Sequence, residues 1–236
     1  MAFSHGKNTK VYCNGYDLTS YLTSIEVPST ADVSETSTFG NNSKTYIAGL
    51  KDATVSIEGF YDGSSDAIDE VLNAALGQNN NEWCYYPNLD TVSNIGYGLS
   101  TVNNAVSVTS DIGDVTGISG EGQSNVSIER LESLHALSQE TSSGNGTGVD
   151  GGASSSNGGS AYIQATDVTG TVEVIIQHDS NSDFSTATTL VSFTAVSTDH
   201  TSERVTFAGT VERYVRAVWT VGGGEDITFN VGFNRA

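Results

Sequence analysis

The chain has 236 residues, 36% of them hydrophobic, and its 28 acidic side chains face 9 Lys and Arg for a formal net charge of −19. That length suits one large or two small domains of about 100–200 residues each, with a core that needs no disulfides. Affinity for nucleic acid or an anionic membrane depends on clustered cations that displace counterions, and the few, scattered cations here speak against both roles.

The opening residues Met1-Ala2-Phe3-Ser4-His5-Gly6 lack the apolar core of a signal peptide, so export by secretion is not expected. Lys10-Val11-Tyr12-Cys13 reads as a strand, and Asn14-Gly15 as a hairpin turn, because both residues tolerate positive φ. A further strand is expected near Ile25-Glu26-Val27. Residues 28–51 are polar throughout and read as a weak strand entering a long exposed loop or hairpin, a feature that in a compact domain is usually functional or disordered. From 53 to 60 the chain alternates, with Ala53, Val55, Ile57 and Gly59 on one face and Thr54, Ser56, Glu58 and Phe60 on the other, the pattern of a half-buried strand. One helix is predicted over about 66–76, capped by Ser65 or Asp66 and stopped at Gly77, with Ile68, Val71, Leu72, Ala75 and Leu76 as its apolar stripe.

Strands are then predicted at about 82–87, 97–109 and 123–137, the last with an irregular period that allows a helical turn near 131–137. Cys13 and Cys84 each sit in a strand-like run and are expected as buried free thiols of a protein made in a reducing cytoplasm. Residues 141–160 are almost entirely Gly, Ser, Thr and Asn, a flexible-linker composition that places a domain boundary there. Beyond it, strands at 161–168, 171–178, 188–196, 202–208, 212–220 and 226–233 predict a second, jelly-roll-like β-sandwich. Within it, parity puts Val215, Ala217 and Trp219 on the core face of their strand and Tyr214, Arg216 and Val218 on the other.

No run approaches the ~18 apolar residues of a membrane span. The four histidines show no metal-ligand spacing, and no CxxC, nucleophile elbow, P-loop or strand-to-helix glycine fingerprint occurs. Asp111-Ile112-Gly113-Asp114 and Asp179-Ser180-Asn181-Ser182-Asp183 are the best calcium candidates, and the second suits a turn better. No acid pair stands out for glycoside hydrolysis. The expectation is a non-enzyme without cofactor or metal.

Four local patterns follow one another in the first 140 residues. They are Asn14-Gly15-Tyr16-Asp17-Leu18-Thr19-Ser20-Tyr21-Leu22, the run 31–40 ending Glu35-Thr36-Ser37-Thr38-Phe39-Gly40, the run 44–53 (Lys-Thr-Tyr-Ile-Ala-Gly-Leu-Lys-Asp-Ala), and Gly59-Phe60-Tyr61-Asp62-Gly63. In this order they resemble siphophage major tail proteins, the family that builds the tail tube of long-tailed bacteriophages. Glu203-Arg204-Val205 and the run 208–217 resemble a β-rich segment of some of these proteins.

The resemblance implies a mainly β subunit, a tail-tube-type sandwich or barrel over 1–140 with one flanking helix. The linker and the second sandwich over 161–236, on the outside of the tube, would follow. It implies hexameric rings stacked into a hollow tube, with DNA passing to the host through the lumen without specific binding. The implied partners are further copies of the chain, a tape measure protein, and tail-tip and tail-terminator proteins. The implied location is the virion tail, after synthesis in the host bacterial cytoplasm. On this reading Glu26, Asp32, Glu35 and Glu58 are candidate lumen acids, and Phe39, Lys44, Tyr46, Leu50 and Lys51 belong to a ring-stacking segment. The alternative is a capsid decoration or tail-tip adhesin whose jelly-roll domain binds glycans. A secreted carbohydrate-active protein is a third reading, disfavoured by the missing signal sequence.

Overall fold

A computed structural model describes residues 5–236; the segment Met1–Ser4, on which the absence of a signal sequence was partly read, lies outside them. The protein is mainly β. In chain order the strands are β1 (Lys10–Cys13), β2 (Tyr16–Asp17), β3 (Leu22–Glu26), β4 (Ser29–Glu35), β5 (Tyr46–Phe60), β6 (Asn81–Tyr86), β7 (Ile95–Thr109), β8 (Gly117–Ser124) and β9 (Glu129–Glu140). There follow β10 (Gly144–Asn145), β11 (Val149–Asp150), β12 (Gly159–Thr169), β13 (Glu173–Asp179), β14 (Thr188–Ser192), β15 (Thr201–Phe207), β16 (Tyr214–Thr220) and β17 (Asp226–Arg235). One α-helix, α1 (Ile68–Ala75), lies between β5 and β6, and no helix among the described residues is long and apolar enough to cross a membrane.

The chain divides into two compact units, and not at 141–160. The first unit gathers the chain up to Ser20, Glu82–Gly98 and Glu129–Ala236; the second holds Tyr21–Asn81 and Leu99–Ile128. The predicted split into 1–140 and 161–236 fails because β17 pairs with β9 along its length, from Ile227↔Glu140 to Phe233↔Glu132. The predicted linker is built in as well. Its β10 and β11 pair with β16, and Val149 is buried. Its glycines permit close approach: a Cβ on Gly144 would meet the Trp219 ring at 2.6 Å, and one on Gly148 the Phe184 ring at 2.5 Å.

The first unit is a sandwich. One sheet runs β15-β12-β17-β9, then the first residues of β7, then β6-β1-β2; the other runs β10-β16-β13-β14 with β11 beside β16. Between them lies a core that includes Leu134, Ile163, Val174, Ile176, Val215, Phe229 and Phe233. The parity of β16 is as read from sequence, with Val215, Ala217 and Trp219 buried and Tyr214, Arg216 and Val218 only partly so. The Asn14-Gly15 turn also forms, with φ of 50° and 82°, and Gly15 donates its N–H to Gln164 Oε1 at 2.7 Å. Cys13 and Cys84 are buried free thiols on neighbouring strands, and burial pushes both thiols up from their usual range. Asp179 closes the β13–β14 loop by accepting from the N–H groups of Asn181 (2.9 Å) and Thr186 (2.7 Å), which makes it a turn residue.

The second unit is a sheet in the order β3-β5-β8-β7, joined by the β4–β5 hairpin and backed by α1. The alternation of β5 holds: Ala53, Val55, Ile57 and Gly59 are buried. Gly120 of β8 lets the helix close down, since a Cβ there would lie 3.3 Å from Leu72 Cδ1. The helix is shorter than predicted and starts at an N-cap, Ala67, that makes no side-chain capping bond. Asp66 instead adopts φ 60° and donates its N–H to Glu70 Oε2, so neither Ser65 nor Asp66 caps it. Ile68, Val71, Leu72 and Ala75 are buried, but Leu76 falls beyond the last turn and is exposed, and Gly77 takes φ 72° as a stop residue. The single strand predicted over 123–137 is two strands, β8 and β9, broken at 125–128, with no helical turn at 131–137.

Candidate assembly surface

The second unit concentrates acidic and exposed apolar side chains. It carries twelve acids (Glu26, Asp32, Glu35, Asp52, Glu58, Asp62, Asp66, Asp69, Glu70, Asp111, Asp114, Glu121) against two cations, Lys44 and Lys51. So dense a single-sign surface keeps copies apart at low ionic strength and repels phosphates.

The β4–β5 hairpin leaves the sheet at Ala53. Every residue of β4, and β5 from Tyr46 to Asp52, is exposed. The register runs from Ser29↔Ala53 to Glu35↔Tyr46, with a bulge between Ala31 and Val33. The tip holds itself with polar contacts: Thr36 N–H donates to Thr45 O (2.8 Å), Thr45 N–H to Ser37 Oγ (3.0 Å) and Asn41 N–H to Thr38 O (3.0 Å). Lys44 Nζ reaches Glu35 Oε2 at 2.9 Å, an exposed pair worth about 0–1 kcal/mol. A bare two-stranded ribbon is marginal in water. This one nevertheless carries Val33, Phe39, Tyr46, Ile47 and Leu50 in solvent, with Leu50 81% exposed. The pairings Glu35↔Tyr46 and Val33↔Ala48 put Val33, Tyr46 and Ala48 on one face, and Ile47 with Ser34 on the other. All five residues read from sequence as a stacking segment, Phe39, Lys44, Tyr46, Leu50 and Lys51, lie on this hairpin and are exposed.

The four candidate lumen acids fall into two groups. Glu26 and Glu58 share the face of the sheet opposite α1, as the pairings Glu26↔Ser56 and Ser24↔Glu58 require. Asp32 and Glu35 sit on the hairpin instead. Glu121 joins the sheet-face acids because it pairs with Ser56; sequence reasoning missed it, since β8 (Gly-Ile-Ser-Gly-Glu-Gly-Gln-Ser) has a single large apolar residue to reveal its alternation. Between these acids lie Ser24, Thr54, Ser56, Ser107 and Ser119, so the face is acidic and hydroxyl-lined with no cation. Among the described residues no group of three or more His, Cys, Asp and Glu is placed to hold a metal ion.

No family profile matches the sequence. No curated protein matches it. Among solved structures the chain is similar to a component of the virion of a native gene transfer agent particle (12% identity, 54% of this chain and 98% of that one, TM-score 0.44). It is also similar to the Dit protein of SPP1, described as a paradigm of the hub adsorption apparatus of phages that infect Gram-positive bacteria (11%, 96% and 98%, TM-score 0.41). A third likeness is to the sheath–tube complex of an extracellular contractile injection system in its extended state (10%, 55% and 92%, TM-score 0.44). Identities and TM-scores this low leave the role of this chain to be argued from its own surfaces.

Proposed function

We infer that the chain is a structural subunit of a phage tail that polymerises as stacked hexameric rings into the tail tube, the conduit for DNA. The observation that carries this reading is the β4–β5 hairpin, which exposes five large apolar side chains on a ribbon too thin to shelter them. A monomer gains nothing from such a surface, whereas a neighbouring copy buries it. The β3 strand supports the same reading: among the described residues it pairs only with β5, and a partner strand from a neighbour satisfies an edge of that kind. The face bearing Glu26, Glu58 and Glu121 suits a lumen, because it repels phosphates and offers DNA no cation to hold. The role is architectural, with no catalytic step.

Sedimentation velocity with rising concentration and salt tests the reading. Salt screens the mutual repulsion of copies that each carry −19. A species near 148 kDa, six copies of 24.7 kDa, followed by larger multiples, is expected; a chain that stays monomeric at all salts, also with tail-tip proteins added, refutes it.

A further inference from the structure

In the first unit, the outer face of the β10-β16-β13-β14 sheet is turned away from the sandwich core. The pairings Gln177↔Arg216, Ile175↔Val218, Ile175↔Ser192 and Asn145↔Val218 put these side chains on that face. Arg216 lies among them, only partly buried. Its Nε (3.2 Å) and Nη2 (2.9 Å) both donate to Gln177 Oε1, and its Cζ lies 4.2 Å from the centre of the Phe184 ring. Phe184 comes from the β13–β14 loop with φ 54°, a conformation that a bulky residue holds only when its surroundings impose it. The guanidinium is therefore fixed in direction by two partners that carry no charge.

Other arginines of this unit have their charge answered within the chain. Arg204 and Arg213 each hold a carboxylate, and Arg235 donates to the carbonyls of Ala153, Val211, Glu212 and Arg213. Among the described residues Arg216 forms no ion pair and meets no acceptor besides Gln177 Oε1, although the chain has 28 acids. Asp179, two residues from Gln177 on β13, is turned into its own loop, where the N–H groups of Asn181 and Thr186 occupy both oxygens. Gln177 takes the Nε edge of the guanidinium and leaves the Nη1–Nη2 edge open. A planar fork of this kind donates to both oxygens of a carboxylate or phosphate. A cation held still and partly dry without a counter-charge costs stability, which an anion from outside offsets.

The neighbours of the fork define what else the ligand carries. Ile175 and Val218 pair side by side in the next row of the face, partly exposed, and Ser192 and Asn145 stand exposed at the two ends of that row. An apolar strip with an amide and a hydroxyl at its ends suits the C–H face of a sugar ring and its flanking hydroxyls. The chain's charge of −19 repels a dense polyanion at long range. An isolated carboxylate, with distant charges screened by salt, responds mainly to the guanidinium it touches.

We propose that this face binds a saccharide bearing isolated carboxylates, as in a polymer that alternates acidic and neutral sugars. The carboxylate sits on the open edge of Arg216, and the sugar ring lies over Ile175 and Val218. This adds a binding function to a chain whose assembly is argued from its other unit, and neither reading depends on the other.

Saturation-transfer NMR titrations of the full chain at low ionic strength test it, with a hyaluronan tetrasaccharide as the acidic probe and chitotetraose as the neutral one. A Kd of about 1 mM is expected for the acidic probe, and binding at least about tenfold weaker for the neutral one. Arg216→Lys keeps the charge but loses the fork, and should weaken the acidic probe by about tenfold. Gln177→Glu sets a carboxylate against the guanidinium where the amide was. It should abolish binding while tryptophan fluorescence shows the same thermal transition. No binding of the tetrasaccharide by the unmodified chain up to about 10 mM overturns the proposal. So does equal binding of chitotetraose, or a Gln177→Glu chain that binds as the unmodified one does. Inorganic phosphate that binds as tightly as the tetrasaccharide would leave a bare anion site and overturn the saccharide assignment.

Discussion

Glu129, Tyr162 and Arg204 bind strands β9, β12 and β15 into one unit, and Glu129→Gln tests that junction. The carboxylate accepts from Arg204 Nη2 at 2.6 Å and Nε at 3.0 Å, and from Tyr162 O–H at 2.5 Å, while Arg204 Nε also donates to the Tyr162 oxygen at 3.0 Å. The pair is largely withdrawn from water, with the side chains of Arg204 and Glu129 17% and 13% exposed. Removing one partner of a buried pair costs about 3–5 kcal/mol, because the other charge is left uncompensated. The residual exposure puts the expected loss near the lower end, about 3 kcal/mol. For a unit of this size each kcal/mol moves the midpoint by about 3 °C, so Tm falls by about 9 °C. Tryptophan fluorescence is a selective assay, since both tryptophans, Trp83 and Trp219, lie in this unit. Glu129→Leu with Arg204→Met, which removes both charges, should recover most of the loss. A Glu129→Gln chain that melts within about 2 °C of the unmodified one would show that this junction contributes little to stability.

Deleting 141–236 removes β17 from beside β9, and with it β12 and β15 beyond; the remaining fragment should show no cooperative fluorescence transition of Trp83, and a sharp one would restore the linker reading. Gly15→Ala should cost about 2 kcal/mol or more in urea titrations, because φ is 82° and the new Cβ would lie 2.4 Å from the backbone carbon of His200. His135 stacks on Phe229 with ring centres 4.1 Å apart, meets the edge of Trp219 at 4.7 Å and lies 3.3 Å from Glu140; burial outweighs that carboxylate and holds its pKa below the usual histidine value. The unfolded chain then takes up the proton first, so stability is full above about pH 6.5 and declines as pH falls below it. His135→Gln should flatten urea midpoints between pH 7 and 5, leaving the slope of His178, also lowered by burial. Reversing the sheet face with Glu26→Lys, Glu58→Lys and Glu121→Lys should make assembled tubes retain double-stranded DNA at low salt, with retention lost as salt rises; tubes that hold no more DNA than before would argue against a lumen on that face.

Much of the second unit was legible in the sequence because its signals are local. The alternation from Ala53 to Gly59 and the Ile68–Ala75 stripe each state their structure within a few residues, as does the Asn14-Gly15 turn of the first unit. The hairpin was legible as an exposed segment by its polarity, although the apolar face shared by Val33 and Tyr46 emerges only with the β4–β5 register. The organisation of the first unit was not legible, because it depends on partners far apart in sequence: β9 needs β17, and β1 needs β6. The 141–160 stretch misled for a specific reason. Glycines that let backbone pass close to Trp219 and Phe184 have the same composition as glycines that leave a chain free. Glu121 was invisible for a related reason, since glycines in β8 replace the apolar residues that would have marked its inward face.

Negative-stain electron microscopy of the purified full chain, at rising concentration and salt, shows directly whether it builds a tube. Hollow rings of six copies that stack into tubes once salt screens the charge are expected. Particles that remain single copies, or that close into compact dimers with no lumen, would contradict the tube reading.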